Sequence, residues 1–175
     1  MQEILDKDFF KSDTISLAQN LVGKWIETNI NGNITIAQIS ETEAYLGITD
    51  SACHTFGGKR TARTEPMWQE GGTIYVYLCY GLHHLLNIVS KDVEEPEAVL
   101  IRAVVGAEGP AKLTKLLGVD KSFNGEHIVC NPRIRILDDG KKYAFDSKPR
   151  IGIDYAKKED ICACLRFVMI NKGEK

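Results

Sequence analysis

The chain has 175 residues, of which 43% are hydrophobic and 26% are charged, and its formal net charge is −2. This composition is typical of a globular protein with one sizeable core, and it excludes fibrous and disordered classes. No apolar run is long enough to span a membrane and the amino terminus lacks the pattern of a signal peptide, so we expect a cytoplasmic protein with no membrane partner.

The first third of the chain predicts one helix and a β-hairpin. Ser12, Asp13 and Thr14 offer N-caps to a short helix that ends at Gly23. Asn31-Gly32 is a strong hairpin turn signal. The strands it joins are predicted at residues 25–30 and 34–39, and the second continues through 41–45.

The remaining elements alternate in type. Thr49 and Asp50 are predicted to cap a helical turn that carries Cys53 and His54. Further helices are predicted at residues 64–69 and from Gly109-Pro110 to Gly118, and further strands at 73–79, 85–89, 98–105, 133–137 and 165–170. We therefore predict one compact α+β domain over residues 1–175, with a mostly antiparallel curved sheet, flanking helices and a protruding β-hairpin.

Glu43 is the first candidate for chemistry. A lone carboxylate on a strand is usually solvated, but in an extended strand Glu43 shares its face with Glu41 and Tyr45. Arg102 lies inside an otherwise apolar strand and needs a partner or a cavity. An Arg102–Glu43 pair that holds a water between the two groups would make Glu43 a general base.

Aromatic residues cluster near the same segments. Tyr75 and Tyr77 share a strand face, and Tyr80 before Gly81 places a large ring at the tip of the predicted hairpin. With His54 close in sequence, these side chains favour a site that stacks a flat ligand. The residues alone thus predict a water-using enzyme that acts on a nucleobase-bearing substrate.

The remaining motifs concern charge and metals. Lys59, Arg60 and Arg63 form a basic loop without an acidic residue, which could hold phosphates although the whole chain is acidic. His83 and His84 point to opposite faces of a strand, and the five cysteines lack zinc or disulfide spacing. We expect no metal and no cofactor.

Several motifs occur together in an order that resembles the alkyladenine (3-methyladenine, methylpurine) DNA glycosylase family, bacterial branch. They cover nearly the whole chain, and the ordered set is far more specific than any one of them. The motifs lie at residues 41–47, 52–54, 57–63, 73–81, 87–88, 98–103, 108–110, 150–153 and 165–167.

The resemblance implies a base-excision repair enzyme that flips damaged purines out of double-stranded DNA and hydrolyses the N-glycosidic bond. It implies that Glu43 is the general base, that Arg102 helps to hold the attacking water, and that Tyr80 intercalates where the nucleotide has left. The resemblance places Tyr45, His54, Tyr77 and Asn87 in the base pocket, with Asn87 disfavouring ordinary guanine. A monofunctional monomer without lyase activity is expected.

Three other functions stay open at this point. An inert binder of distorted DNA would need neither Glu43 nor Arg102. A nucleoside or RNA N-glycosidase is favoured only by the acidic charge balance. A two-carboxylate glycosidase that uses Glu41 with Glu43 lacks any further sign of sugar recognition.

Overall fold

A computed structural model describes residues 3–170 of the chain. The strands are β1 (Glu3–Ile4), β2 (Trp25–Ile30), β3 (Asn33–Tyr45), β4 (Ile74–Cys79), β5 (His83–Val89), β6 (Ala98–Val104), β7 (Ile134–Asp138), β8 (Phe145–Lys148) and β9 (Arg166–Met169). The α-helices are α1 (Lys7–Phe10), α2 (Thr14–Leu21), α3 (Pro110–Leu117) and α4 (Lys158–Cys162). Short 3₁₀ turns lie at Gly47–Thr49, Phe56–Gly58, Glu65–Trp68 and Lys121–Phe123.

The strands form one antiparallel sheet in the order β1-β7-β2-β3-β6-β5-β4, and β9 pairs with both β3 and β8. The prediction of an α+β fold with a mostly antiparallel sheet is confirmed. Across residues 3–170, no helix combines the length and the apolarity that crossing a bilayer requires.

Strand β3 is the element that generates the functional region. Its first half pairs with β2 across the turn at Asn31 and Gly32, which both have positive φ (53° and 85°), as the hairpin signal predicted. Its second half lies between β6 and β9. The register of the β3–β6 pair shifts between Ile39 and Thr42, and such bulges bend a strand and re-aim its side chains. Glu43 follows this irregularity directly.

The two faces of the sheet have different partners because side chains alternate along a strand. On one face, Val76 and Ile101 belong to the main core, together with Leu17 of α2 and Leu113 of α3. On the opposite face, Tyr75 belongs to a smaller cluster with Cys53, Met67, Val89 and Ala98. Helices α2 and α3 thus stabilise the sheet from one side, and the other side is free to form a cavity.

The β4–β5 hairpin has the predicted tip. Tyr80 and Gly81 both adopt positive φ, at 51° and 68°. A positive φ is unusual for a residue as large as tyrosine and is tolerated in tight turns. The turn leaves the Tyr80 side chain 92% exposed.

Some predicted elements are wrong. The helix expected at residues 64–69 is only a 3₁₀ turn at Glu65–Trp68, with Pro66 inside it. Around Cys53 and His54 the chain forms a hydrogen-bonded turn and not a helix, with the Cys53 N–H donating to the Asp50 carbonyl at 2.9 Å. The Asp50 carboxylate accepts from the Ala52 N–H of this turn at 3.0 Å, and both of its oxygens also bind Arg150. The sequence patterns did not predict β1, β8, α1 or α4.

Candidate active site

A cavity of about 170 Å³ opens on the face of the sheet opposite the main core. This volume is roughly ten times what one water molecule needs. Strands β3–β6 and the loops after β3 and β8 supply the walls. The residues that line it include Glu43, Tyr45, His54, Tyr75, Tyr77, Tyr80, Asn87, Arg102, Ile151 and Tyr155.

Glu43 is completely buried on the cavity wall, with 0% of its surface exposed. Its carboxylate accepts from three donors: the Tyr45 hydroxyl at 2.9 Å, Arg102 Nε at 3.1 Å and the backbone N–H of Ile151 at 3.0 Å. An ionised carboxylate offers about four lone-pair positions. The arrangement therefore fixes the carboxylate and leaves it able to accept one more hydrogen bond.

Arg102 connects Glu43 to a second carboxylate. Its Nε lies 3.1 Å from Glu43 and 3.7 Å from Glu41, and Arg166 donates to Glu41 at 2.6 Å. The predicted Arg102–Glu43 pair therefore exists, as a direct hydrogen bond between the two side chains. Charges of opposite sign thus alternate from Glu43 through Arg102 and Glu41 to Arg166, and they largely cancel one another.

Burial raises the pKa of Glu43 above its usual value, and the hydrogen bonds from Ile151, Tyr45 and Arg102 oppose that rise. A carboxylate whose pKa is shifted toward the working pH is a better general base than an exposed one. Burial and the neighbouring Glu43 charge raise the pKa of the Tyr45 hydroxyl, so Tyr45 keeps its proton and remains a donor to Glu43.

Aromatic rings line the same cavity. The His54 and Tyr77 rings meet edge to face with centroids 4.7 Å apart, and the Tyr75 and Tyr77 rings are tilted at 5.5 Å. His54 Nδ1 and the Tyr75 hydroxyl are hydrogen-bonded at 2.9 Å. These contacts hold the rings in place before any ligand binds.

His54 is neutral at physiological pH. Burial, with the nearby positive charges of Arg63 and Lys59, lowers the pKa of His54 to about 4. Burial also raises the pKa of Tyr75 to about 12. The aromatic wall is therefore uncharged, which favours a flat ligand, including a cationic one.

Asn87 lines the cavity and is only 5% exposed. Its side-chain amide nitrogen donates to the carbonyl of Tyr75 at 3.1 Å and to that of Leu85 at 3.4 Å. Because carbonyl oxygens can only accept, these two bonds orient the amide. Asn87 therefore presents a fixed polar group to whatever enters the cavity.

The basic loop does not act as one unit. Arg60 is bound by two carboxylates, Glu65 and Glu94, at 2.8 Å each. Arg63 lies over the Tyr77 ring, 5.1 Å from its centroid, and is not among the residues that line the cavity. Within residues 3–170, Lys59 has no ion-pair partner. The three charges predicted to hold phosphates thus lie in three different environments.

The sequence patterns gave no role to an ion pair behind the cavity. Asp50 and Arg150 lie 100 residues apart and form a fully buried pair with two hydrogen bonds, at 2.5 and 2.9 Å. The backbone donor of Ile151 was missed as well, because a main-chain N–H has no residue type. The motif at residues 150–153 was the available signal, but it does not identify Asp50 as the partner of Arg150.

The described residues 3–170 contain no group of three or more His, Cys, Asp or Glu side chains placed to bind a metal ion. The arrangement combines a buried, oriented carboxylate, an adjacent guanidinium and an aromatic wall. Such a site can bind a flat ring and deprotonate a water beside it.

Comparison with known proteins identifies the family. A sequence profile described as "Methylpurine-DNA glycosylase (MPG)" matches residues 8–107 and 105–173. Bacterial relatives are each named "Putative 3-methyladenine DNA glycosylase". One from Borreliella afzelii is 42% identical over 176 residues, covering 93% of this chain and 94% of that protein. One from Clostridium perfringens is 37% identical over 184 residues, covering 88% and 90%.

The order of motifs along the sequence and these matches agree. The chain therefore belongs to the methylpurine-DNA glycosylase family, DNA-repair hydrolases that act on damaged DNA and cleave N-glycosyl bonds.

Proposed function

We propose that this protein flips alkylated or deaminated purines out of double-stranded DNA and hydrolyses their N-glycosidic bond with a water that Glu43 deprotonates. The observation that carries the proposal is the fully buried Glu43 carboxylate, held by three donors on the wall of an aromatic cavity. The products are the free base and an abasic site.

The chemical step follows from the charges around Glu43. The bond between C1′ and the purine nitrogen breaks, and its electron pair leaves with the base. The water oxygen bonds to C1′ while its proton passes to Glu43. As the bonding electrons leave with the base, positive charge develops at C1′ and the sugar gains oxocarbenium character. A nearby carboxylate stabilises this positive charge. Arg102 keeps Glu43 oriented and helps to hold the attacking water.

Base flipping would use the exposed hairpin tip. Chemistry on a base in a duplex requires that the base leave the stack, at a cost of a few kcal/mol. Tyr80 is 92% exposed at the tip and also lines the cavity. A ring inserted from this position would fill the gap beside the cavity and oppose reclosure of the stack.

The cavity walls favour damaged purines. Tyr45, His54 and Tyr77 would stack on the flipped ring, and a purine made cationic by alkylation gains further from cation–π attraction. Alkylation also makes the base a better leaving group. The oriented Asn87 amide would disfavour the exocyclic amino group of ordinary guanine.

We propose a monofunctional enzyme. Elimination of the DNA strand after base release needs an amine that forms a Schiff base. Among the described residues that line the cavity, none is a lysine. We also propose that the enzyme acts as a monomer in the bacterial cytosol, where its DNA substrate lies.

The experiment that tests the proposal measures base release from methylated duplex DNA by the wild type, Glu43→Gln and Glu41→Gln. Glu41 is the matched control, since it also contacts Arg102. We expect Glu43→Gln alone to lose on the order of 10²–10⁴ in rate, the share of a general base. Equal losses in both variants would favour a two-carboxylate mechanism, and no release by the wild type, with lesion binding intact, would favour an inert binder.

A further inference from the structure

The Asp50–Arg150 ion pair is buried, makes several hydrogen bonds and has no part in the proposed chemistry. The Arg150 side chain is 0% exposed and that of Asp50 is 2% exposed. Asp50 accepts four hydrogen bonds: two from Arg150 and one each from the backbone N–H groups of Leu46 and Ala52, at 3.0 Å. All four acceptor positions of the carboxylate are thereby used.

Arg150 joins this carboxylate to the strand that carries Glu43. Its Nη1 also donates to the carbonyl of Ala44 at 3.0 Å, the residue between Glu43 and Tyr45. Its guanidinium carbon lies over the Tyr45 ring, 4.7 Å from the centroid. A single side chain therefore fixes both the backbone of β3 at the site and one wall of the cavity.

The same residue determines where the next N–H points. Ile151 follows Arg150 and donates its backbone N–H to Glu43 at 3.0 Å. On the other side of Arg150, the carbonyl of Pro149 accepts from Arg166 Nε at 2.8 Å. The segment is thus held on both sides of Arg150, and the Ile151 donor is delivered to Glu43 by that geometry.

We propose that Arg150, held by Asp50, is a positioning residue for the glycosylase site, which keeps the Ile151 N–H on Glu43 and the Tyr45 ring in the cavity wall. This inference rests on the proposed role of Glu43 as the general base.

The energetics of buried ion pairs support a role in orientation. Removing two charges from water is expensive, and apolar replacements of similar volume are often as stable. A pair that bridges the end of β3, the loop after it and the segment after β8 specifies their relative placement. An apolar pair would fill the volume but would direct neither the Ala44 carbonyl nor the Ile151 N–H.

The test uses the pH dependence of single-turnover excision. Glu43 acts when it is deprotonated, so the rate rises with pH through the pKa of Glu43. Loss of the Ile151 hydrogen bond removes an interaction that lowers the pKa of Glu43. The rising part of the rate–pH curve on its acidic side, here called the acidic limb, then moves to higher pH. The titratable and charged groups that face Glu43 are Glu41, Tyr45, Arg102, Arg150, Arg166 and Tyr155.

We expect Arg150→Met to lower the maximal rate roughly 10–100-fold and to move the acidic limb up by about one pH unit, which corresponds to one hydrogen bond to a charged group. Asp50→Asn/Arg150→Met removes both charges together, so a limb shift that persists there reflects geometry and not net charge. Arg150→Lys keeps the buried charge and serves if neither variant folds, with a smaller shift in the same direction.

The control is Arg135→Met, which breaks the partly exposed Arg135–Glu27 ion pair (2.5 Å) in the same sheet, away from the cavity. It should lower stability and leave the limb in place. An unmoved limb in the Arg150 variants, or an equal shift in Arg135→Met, would overturn the inference. An acidic limb that survives in Glu43→Gln would overturn the proposed role of Glu43 and the inference with it. A limb that is lost in Glu43→Gln but unmoved in the Arg150 variants would overturn the inference alone.

Discussion

The region around Glu43 and the tip of the β4–β5 hairpin are built in opposite ways. Glu43 has no exposed surface and three hydrogen-bond donors, and its neighbours are themselves held by further groups. Tyr80 is 92% exposed and stands in a turn with positive φ. One region is held by contacts within the protein, while the other presents an exposed ring that we propose makes its contacts with DNA.

This difference separates the two tasks of the proposed enzyme. A preorganised carboxylate needs no rearrangement at the moment of reaction, which is how enzyme electrostatics contribute most. An exposed aromatic ring would contribute to flipping by filling the gap in the DNA stack, which is absent until DNA is bound. Changes near Glu43 should therefore affect the rate of chemistry, and changes at the tip should affect binding and flipping.

The largest effect in this comparison, after Glu43 itself, is expected for Arg102→Met. The change removes a donor to Glu43 and leaves Glu41 and Glu43 close together without the charge between them. We expect the single-turnover rate to fall on the order of 10²-fold, as for loss of one preorganised donor. Binding of lesion DNA, measured by fluorescence anisotropy, should change little; a loss confined to binding would contradict the assignment.

Tyr80→Ala should produce the reverse pattern. Loss of one stacking ring is worth about 1–3 kcal/mol, so binding to lesion duplex should weaken about 10–100-fold. Excision from a single-stranded substrate should be nearly unchanged, since no stack has to be opened. Tyr80→Phe keeps the ring and is the control. Unchanged duplex binding by Tyr80→Ala would rule out the intercalating role.

A smaller effect, on the salt dependence of DNA affinity, should distinguish Lys59 from Arg60 in the basic loop. Lys59 has no ion-pair partner among the described residues, whereas Arg60 is bound by Glu65 and Glu94. Lys59→Gln should flatten the slope of log affinity against log salt by about 0.9 if it contacts one phosphate. Arg60→Gln should change that slope less. Equal changes would mean that Arg60 exchanges its carboxylate partners for DNA.

The smallest effect at neutral pH concerns His54. Its folded pKa of about 4 lies below its usual 6.5, so the unfolded chain binds more protons. The stability contributed by neutral His54 is complete above about pH 6.5 and is lost as pH falls toward 4. His54→Phe should reduce the fall in unfolding free energy over that range, measured by urea denaturation. An identical pH dependence in the variant would show that His54 is not the titrating group.

The same contrast explains what the sequence predicts well. Glu43 and Arg102 could be paired because a charged residue in each of two strands needs compensation, and Asn31-Gly32 and Tyr80-Gly81 are local turn signals. These inferences depend on short spacings or on strand periodicity. The structure confirms the hairpins, α2, α3 and the pairing of Glu43 with Arg102.

The remaining features depend on long-range contacts. The local sequence predicts that Asp50 caps a turn, and its carboxylate does accept from the Ala52 N–H, but its ion pair with Arg150 comes from 100 residues away. Arg60 was grouped with Lys59 and Arg63, but Glu94 approaches it from 34 residues away. The Ile151 N–H is a backbone group, so no choice of residue type announces it. Partners of this kind follow only from the three-dimensional fold.

The central claim is that chemistry depends on Glu43 and that recognition does not. The most direct measurement is the affinity for duplex DNA with a stable lesion, together with base release under single-turnover conditions, for the wild type and Glu43→Gln. We predict that the two proteins bind the lesion with similar affinity and that only the wild type releases the base at an appreciable rate. Base release by Glu43→Gln at the wild-type rate would contradict the account.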